Sequence, residues 1–120
     1  MSKAEKRLHV LIVDDRKPNV KLLEKMLAPH GYKITTAYDG LQALDCVARE
    51  LPDLILLDIM MADISGYEVC EQLKTDPLTR DIPIIFISAL HEVFDKVKAF
   101  SLGGVDYITK PFQVEEVIAR

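Results

Sequence analysis

At 120 residues the chain is the length of one domain, and 49% apolar with 28% charged residues is an ordinary globular composition. A net charge of −4, with no basic cluster beyond the mixed Lys3 to Arg7 stretch, argues against direct nucleic-acid binding. No apolar run approaches the roughly 20 residues that span a bilayer, and Met-Ser-Lys-Ala-Glu-Lys-Arg at the start lacks a signal-peptide core, so no membrane is expected and a cytoplasmic location is. Cys46 and Cys70 form no Cys-x-x-Cys pair and read as small buried hydrophobes.

The first expected element is a strand, Leu8 to Val13, which stops abruptly at Asp14-Asp15. Pro18 then offers a first-turn proline, and Val20, Leu23 and Leu27, flanked by Leu22 and Met26, recur at helical spacing until Pro29 and Gly31 close the helix. Lys33 to Ala37 reads as a second, more polar strand and therefore as a sheet edge. Asp39-Gly40 turns into a second helix with a stripe of Leu41, Leu44, Val47, Ala48 and Leu51, halted by Pro52.

Asp53 to Asp58 follows as a strand whose apolar run, Leu54 to Leu57, suits burial on both faces. Ser65-Gly66-Tyr67-Glu68 has the spacing of a capping box and opens a third helix through Val69, Cys70 and Leu73. Ile84 to Ile87 is another apolar strand, ending at Ser88. A fourth helix from about His91, with Val93, Val97 and Phe100 on one face, ends at Gly103-Gly104. Val105 to Thr109 is a fifth strand, ending at Lys110-Pro111, and Gln113 to Arg120 begins a fifth helix that stops without a cap. That last helix is read as truncated, and the chain as the N-terminal domain of a longer multidomain protein.

Strict alternation of strand and helix predicts an α/β fold, a flavodoxin-like (βα)5 doubly wound parallel sheet with strand order 2-1-3-4-5. In such a sheet the carboxyl ends of the strands share one edge, where ligands bind. Here that edge gathers Asp14 and Asp15 from the first strand, Asp58 from the third, Ser88 from the fourth and Lys110 from the fifth. Crowded carboxylates repel unless a cation lies among them, and Mg²⁺ suits a few carboxylates with several waters. Lys110 and Ser88 add a fixed charge and a hydroxyl, completing a cradle for a phosphoryl group with Asp58 as its nucleophile. Each residue alone has a plainer reading: Asp14-Asp15 as a pair leading into the helix, Ser88 as an N-cap, Lys110 as a solvated charge. Their coincidence on four strand ends favours the cradle.

These residues carry a resemblance over Leu8 to Arg120. Val-Asp-Asp at 13–15, Leu-Leu-Asp-Ile-Met-Met at 56–61 with Gly66 soon after, Ile-Ser-Ala at 87–89 and Gly-Gly-Val-Asp-Tyr-Ile-Thr-Lys-Pro-Phe at 103–112 are similar to the receiver domain of two-component response regulators. The resemblance implies that Asp58 accepts a phosphoryl group from a phosphohistidine on a sensor histidine kinase or a histidine phosphotransfer protein. It also implies Mg²⁺ held by Asp15, Asp58 and the Met60 carbonyl, with Asp14 acting through water, and phosphoryl oxygens held by Lys110 and Ser88. Switching would couple Ser88 to Tyr107 and reshape the surface of helix 4, strand 5 and helix 5, controlling a C-terminal output domain or a partner. Ala62 departs from the proline common after the Met-Met pair, and Ser88 from the commoner threonine.

Such a domain is not an enzyme beyond its own phosphorylation and dephosphorylation. The rival readings are a Mg²⁺-dependent phosphohydrolase, which would want a carboxylate two residues past Asp58 where Met60 stands, and a receiver-like interaction module that is never phosphorylated. A nucleotide-binding domain of similar fold would want a Gly-rich loop after the first strand, and there is none. Homodimerisation through the fourth-helix face stays open.

Overall fold

Extended segments of five or six residues cannot satisfy their backbone alone, and here five of them pair into one parallel sheet. The computed structural model describes residues 8–59, 61–89 and 106–110, with 88–89 and 106–110 described by their backbone. In chain order these form β1 (His9–Val13), α1 (Lys17–Leu27), a 3₁₀ turn (Ala28–His30), β2 (Lys33–Ala37), α2 (Gly40–Arg49), β3 (Leu54–Asp58), α3 (Gly66–Thr75), β4 (Ile84–Ala89) and β5 (Asp106–Lys110). The sheet order is β2-β1-β3-β4-β5, the order read from the sequence. All pairings are parallel. The expected fourth and fifth helices lie outside the described residues.

Alternation along the strands splits the core in two. Leu11, Val13, Ile55, Leu57, Ile84 and Phe86 face α2 and α3, against Ala43, Val47, Val69, Cys70 and Leu73. Val10, Ile12, Leu56, Ile85 and Ile87 point the other way and meet Val20, Leu23 and Leu27 of α1. Burial on both faces is what the continuous apolar runs require of a parallel sheet. Burial pushes the Cys70 thiol up to about 11, so it acts as a packing group; Cys46 is half-buried.

Boundaries moved where local chemistry outweighed pattern. Only the middle of the expected α2 stripe holds: Val47 is buried and Leu44 packs against the core, but Leu41, Ala48 and Leu51 are exposed, α2 ends at Arg49, and the buried face is Gly40, Ala43 and Val47. Small residues line that face because the helix lies close against its neighbours, which a hydrophobicity stripe does not reveal. The strand at Ile84 extends through Ser88 to Ala89, and Lys110 is the last residue of β5 rather than the first beyond it. Gly31 closes the 3₁₀ turn at φ 85°, the left-handed conformation that glycine adopts freely.

β2 is indeed an outer strand of the sheet, as is β5, and at the amino-terminal edge one polar cluster ties β2 in. Buried His9 places Nε2 2.7 Å from Thr35 Oγ1, while its amide donates to Asp53 Oδ2 at 2.8 Å. Lys33 Nζ donates to both Glu50 carboxylate oxygens, and that hydrogen bond leads the causes holding the Glu50 carboxyl below its ordinary range. Thr35→Val strips the imidazole of its hydroxyl partner, so equilibrium denaturation should report a loss of about 1–3 kcal/mol. An unchanged midpoint would mean the imidazole finds another partner at no cost.

Candidate functional site

Because every strand is parallel, the carboxyl ends lie on one edge, opposite the His9 cluster. Asp14 follows β1 directly; its amide donates to the Ala37 carbonyl at 3.2 Å, continuing the pairing with β2. Its side chain turns back on the chain, with Oδ1 accepting the Arg16 amide at 3.0 Å. The bond shapes the approach to α1 without capping it, since the N-cap is Arg16 and takes no side-chain hydrogen bond. Asp14 is fully buried and Asp15 exposed. Asp58, the last residue of β3, is 2% exposed and stands in register with Ile87 of β4.

These three residues converge. One carboxylate oxygen each from Asp14, Asp15 and Asp58 lies within 4.8 Å of the others. At that separation, with an effective dielectric of about 20, each pair of charges repels by about 3 kcal/mol. Two of the three are withdrawn from solvent, so water screens them poorly. An all-oxygen, all-anionic set of this kind fits a small hard divalent cation, and the exposed Asp15 side leaves room for waters of coordination.

The other expected residues are placed by their strands. Ser88 pairs with Thr109, and Ala89 with Lys110, so the ends of β4 and β5 stand side by side next to the Asp58 strand. Tyr107 lies in register with Phe86. The side chains of Ser88, Tyr107 and Lys110, and the whole of Met60, lie outside the described residues.

The site is backed by α3. Ser65 accepts the Glu68 amide and the Glu68 carboxylate accepts the Ser65 amide, the reciprocal cap that the spacing predicts. The helix then begins at Gly66, whose amide donates to the Ile59 carbonyl at 2.7 Å. A Cβ on Gly66 would lie 2.2 Å from the Asp58 carbonyl oxygen, so α3 rests directly on the acidic strand end. Sequence reasoning passed over Asp63, whose carboxylate accepts the Gly40 and Leu41 amides of α2. A partner 22 or 23 positions away leaves no local signal.

A family model, the response regulator receiver domain, matches residues 10–120. The chain belongs to that family. It is 45% identical over 111 residues to the response regulator PleD of Caulobacter vibrioides, covering 92% of this chain and 24% of PleD. Among solved structures, the N-terminal domain of a response regulator receiver protein from Methanoculleus marisnigri JR1 is 36% identical with a TM-score of 0.77, covering 92% of this chain and 90% of that one. The chemotaxis protein CheY4 of Vibrio cholerae is 25% identical with a TM-score of 0.88, covering 94% of both chains. This receiver domain thus spans about a quarter of the length of PleD. Among the described residues, no helix is long and apolar enough to cross a membrane.

Proposed function

We propose that this receiver domain is a phosphoryl-accepting switch in which Asp58 takes a phosphoryl group from a phosphohistidine. The reading is carried by the convergence of Asp14, Asp15 and Asp58 at the carboxyl edge of a sheet belonging to this family. An Asp58 carboxylate oxygen attacks phosphorus; the new O–P bond forms as the N–P bond of the donor breaks, and the imidazole leaves with its electron pair and takes up a proton. Asp15 and Asp58 would hold Mg²⁺ together with the Met60 carbonyl, and Asp14 would act through water. When bound, the ion supplies positive charge to the non-bridging phosphoryl oxygens.

Lys110 and Ser88 bind those same oxygens from the neighbouring strand ends. Ser88 then draws Tyr107 with it, and the surface of the fourth helix, β5 and the fifth helix changes, a two-state element biased by a charge-assisted hydrogen bond. The donor is a sensor histidine kinase or a histidine phosphotransfer protein, and the site of action is cytoplasmic. The output is a further domain of the same protein or a separate partner; PleD, of which this chain spans 24%, is a relative with room for the former. The domain catalyses only its own phosphorylation and dephosphorylation.

Intact-mass spectrometry after incubation with acetyl phosphate and Mg²⁺, beside Asp58→Ala, tests this. The expected result is one phosphoryl adduct that needs the metal, is labile to base and is absent from the variant. An adduct that survives Asp58→Ala would move the acceptor elsewhere. Absence of any adduct, with a phosphohistidine donor as well, would favour an interaction module that is never phosphorylated.

A further inference from the structure

The segment joining Asp58 to α3 is pinned at base and tip. At the base, the Ile59 amide donates to the Ile87 carbonyl at 3.3 Å, and the Ile59 carbonyl accepts the Gly66 amide at 2.7 Å. At the tip, Asp63 reaches to another helix: Oδ1 accepts the Gly40 amide at 3.0 Å and Oδ2 the Leu41 amide at 2.9 Å. Those amides open α2, where no intrahelical acceptor exists for them. Asp39 Oδ1 takes the next amide, Gln42, at 2.7 Å, and Ala43 is the first to bond back along the chain, to the Asp39 carbonyl at 3.0 Å.

The start of α2 is therefore closed by two carboxylates, one local and one carried by the segment behind the acidic site. Ile64 reinforces the junction, since a Cβ on Gly40 would lie 2.3 Å from its Cγ1. Lifting the segment would bare two amides at the positive end of a helix and unpack Ile64 together. Proline is absent at Ala62, so stiffness comes from this bridge rather than from a fixed φ.

We infer that Asp63 is a positioning residue for the acidic site, anchoring the segment after Asp58 to α2 so that cation binding beside Asp58 depends on a side chain that touches neither cation nor phosphoryl group. This rests on the proposed function. Desolvation acts to raise the Asp63 carboxyl, but the amides of Gly40, Leu41, Ile64 and Asp63 itself outweigh it and hold it below the ordinary Asp range. The anchor is thus in place above that range and is lost only as pH falls through the lowered value.

Titration calorimetry of the full chain with MgCl₂ alone tests the inference on wild type, Asp63→Ala, Asp63→Asn and Asp39→Ala. Asp39→Ala removes a cap from the same helix without freeing the segment, so it matches the loss of helix stability while leaving the anchor. Expected are about tenfold weaker Mg²⁺ binding in Asp63→Ala, the lower end for a residue acting through a ligand, a smaller loss in Asp63→Asn, which keeps one acceptor oxygen, and wild-type binding in Asp39→Ala. Equal binding by Asp63→Ala and wild type, or an equal loss in Asp39→Ala, would overturn the inference and leave the proposed function standing. No binding by wild type would overturn both.

Discussion

Gly66→Ala is expected to destabilise the domain by about 3 kcal/mol or more and to slow phosphoryl transfer in the molecules that still fold. The added methyl would sit 2.2 Å from the Asp58 carbonyl oxygen and 2.9 Å from the Ile59 Cα, both backbone atoms, so no rotamer change relieves the clash. Either α3 withdraws and loses the Gly66 bond to Ile59, or the end of β3 shifts and carries the Asp58 carboxylate with it. Gly31→Ala makes the control: nothing lies within 4 Å of its added methyl, and only the left-handed φ of 85° opposes the change, at about 1 kcal/mol. Denaturant melts and the rate of acetyl-phosphate labelling check the pair. Equal stability losses would show that space beside Asp58 is not what requires glycine there.

Asp58→Asn is expected to reverse the stability order when metal is added. In chelator the variant should melt higher than wild type by about 1–2 kcal/mol, because it relieves repulsion of about 3 kcal/mol per pair that water partly screens for the exposed Asp15. With Mg²⁺ at about a hundred times its dissociation constant, wild type should gain about 2.7 kcal/mol and overtake a variant that gains little. That result would mean that the free protein gives up stability at this edge which a bound cation restores. Thermal melts with and without Mg²⁺ read both halves. The same order in both buffers would mean that Asp14, Asp15 and Asp58 do not share a cation.

Much of this is legible in the amino-acid sequence. The runs around Val10, Ile55 and Ile85 are apolar on both faces, which demands a parallel sheet covered on both sides, and Lys33 to Ala37 betrayed its edge position by polarity. Once the strand order follows, Asp14, Asp15 and Asp58 must meet, as they do. What escaped reading depends on contacts between distant residues. The burial of Ala43 in place of Leu41 reflects how near α2 approaches its neighbours, and the bond from Asp63 to Gly40 and Leu41 joins segments that only the fold brings together. Gly66 stands out in sequence for its place after Asp58, but the reason for glycine, the absence of space beside the Asp58 carbonyl, is set by the fold.

The position of β1 between β2 and β3 also bears on how the protein is made. The strand emerges from the ribosome before either partner, yet both of its edges are to be occupied. No hairpin can shelter it, because its neighbours run parallel and each arrives only after an intervening helix. Until β3 has been synthesised, His9–Val13 is an uncovered, largely aliphatic ribbon capable of pairing with another nascent chain. Synthesis of this domain therefore passes through a vulnerable interval that closes only when the segment bearing Asp58 arrives, so the strand that carries the acidic chemistry also completes the shelter of the first.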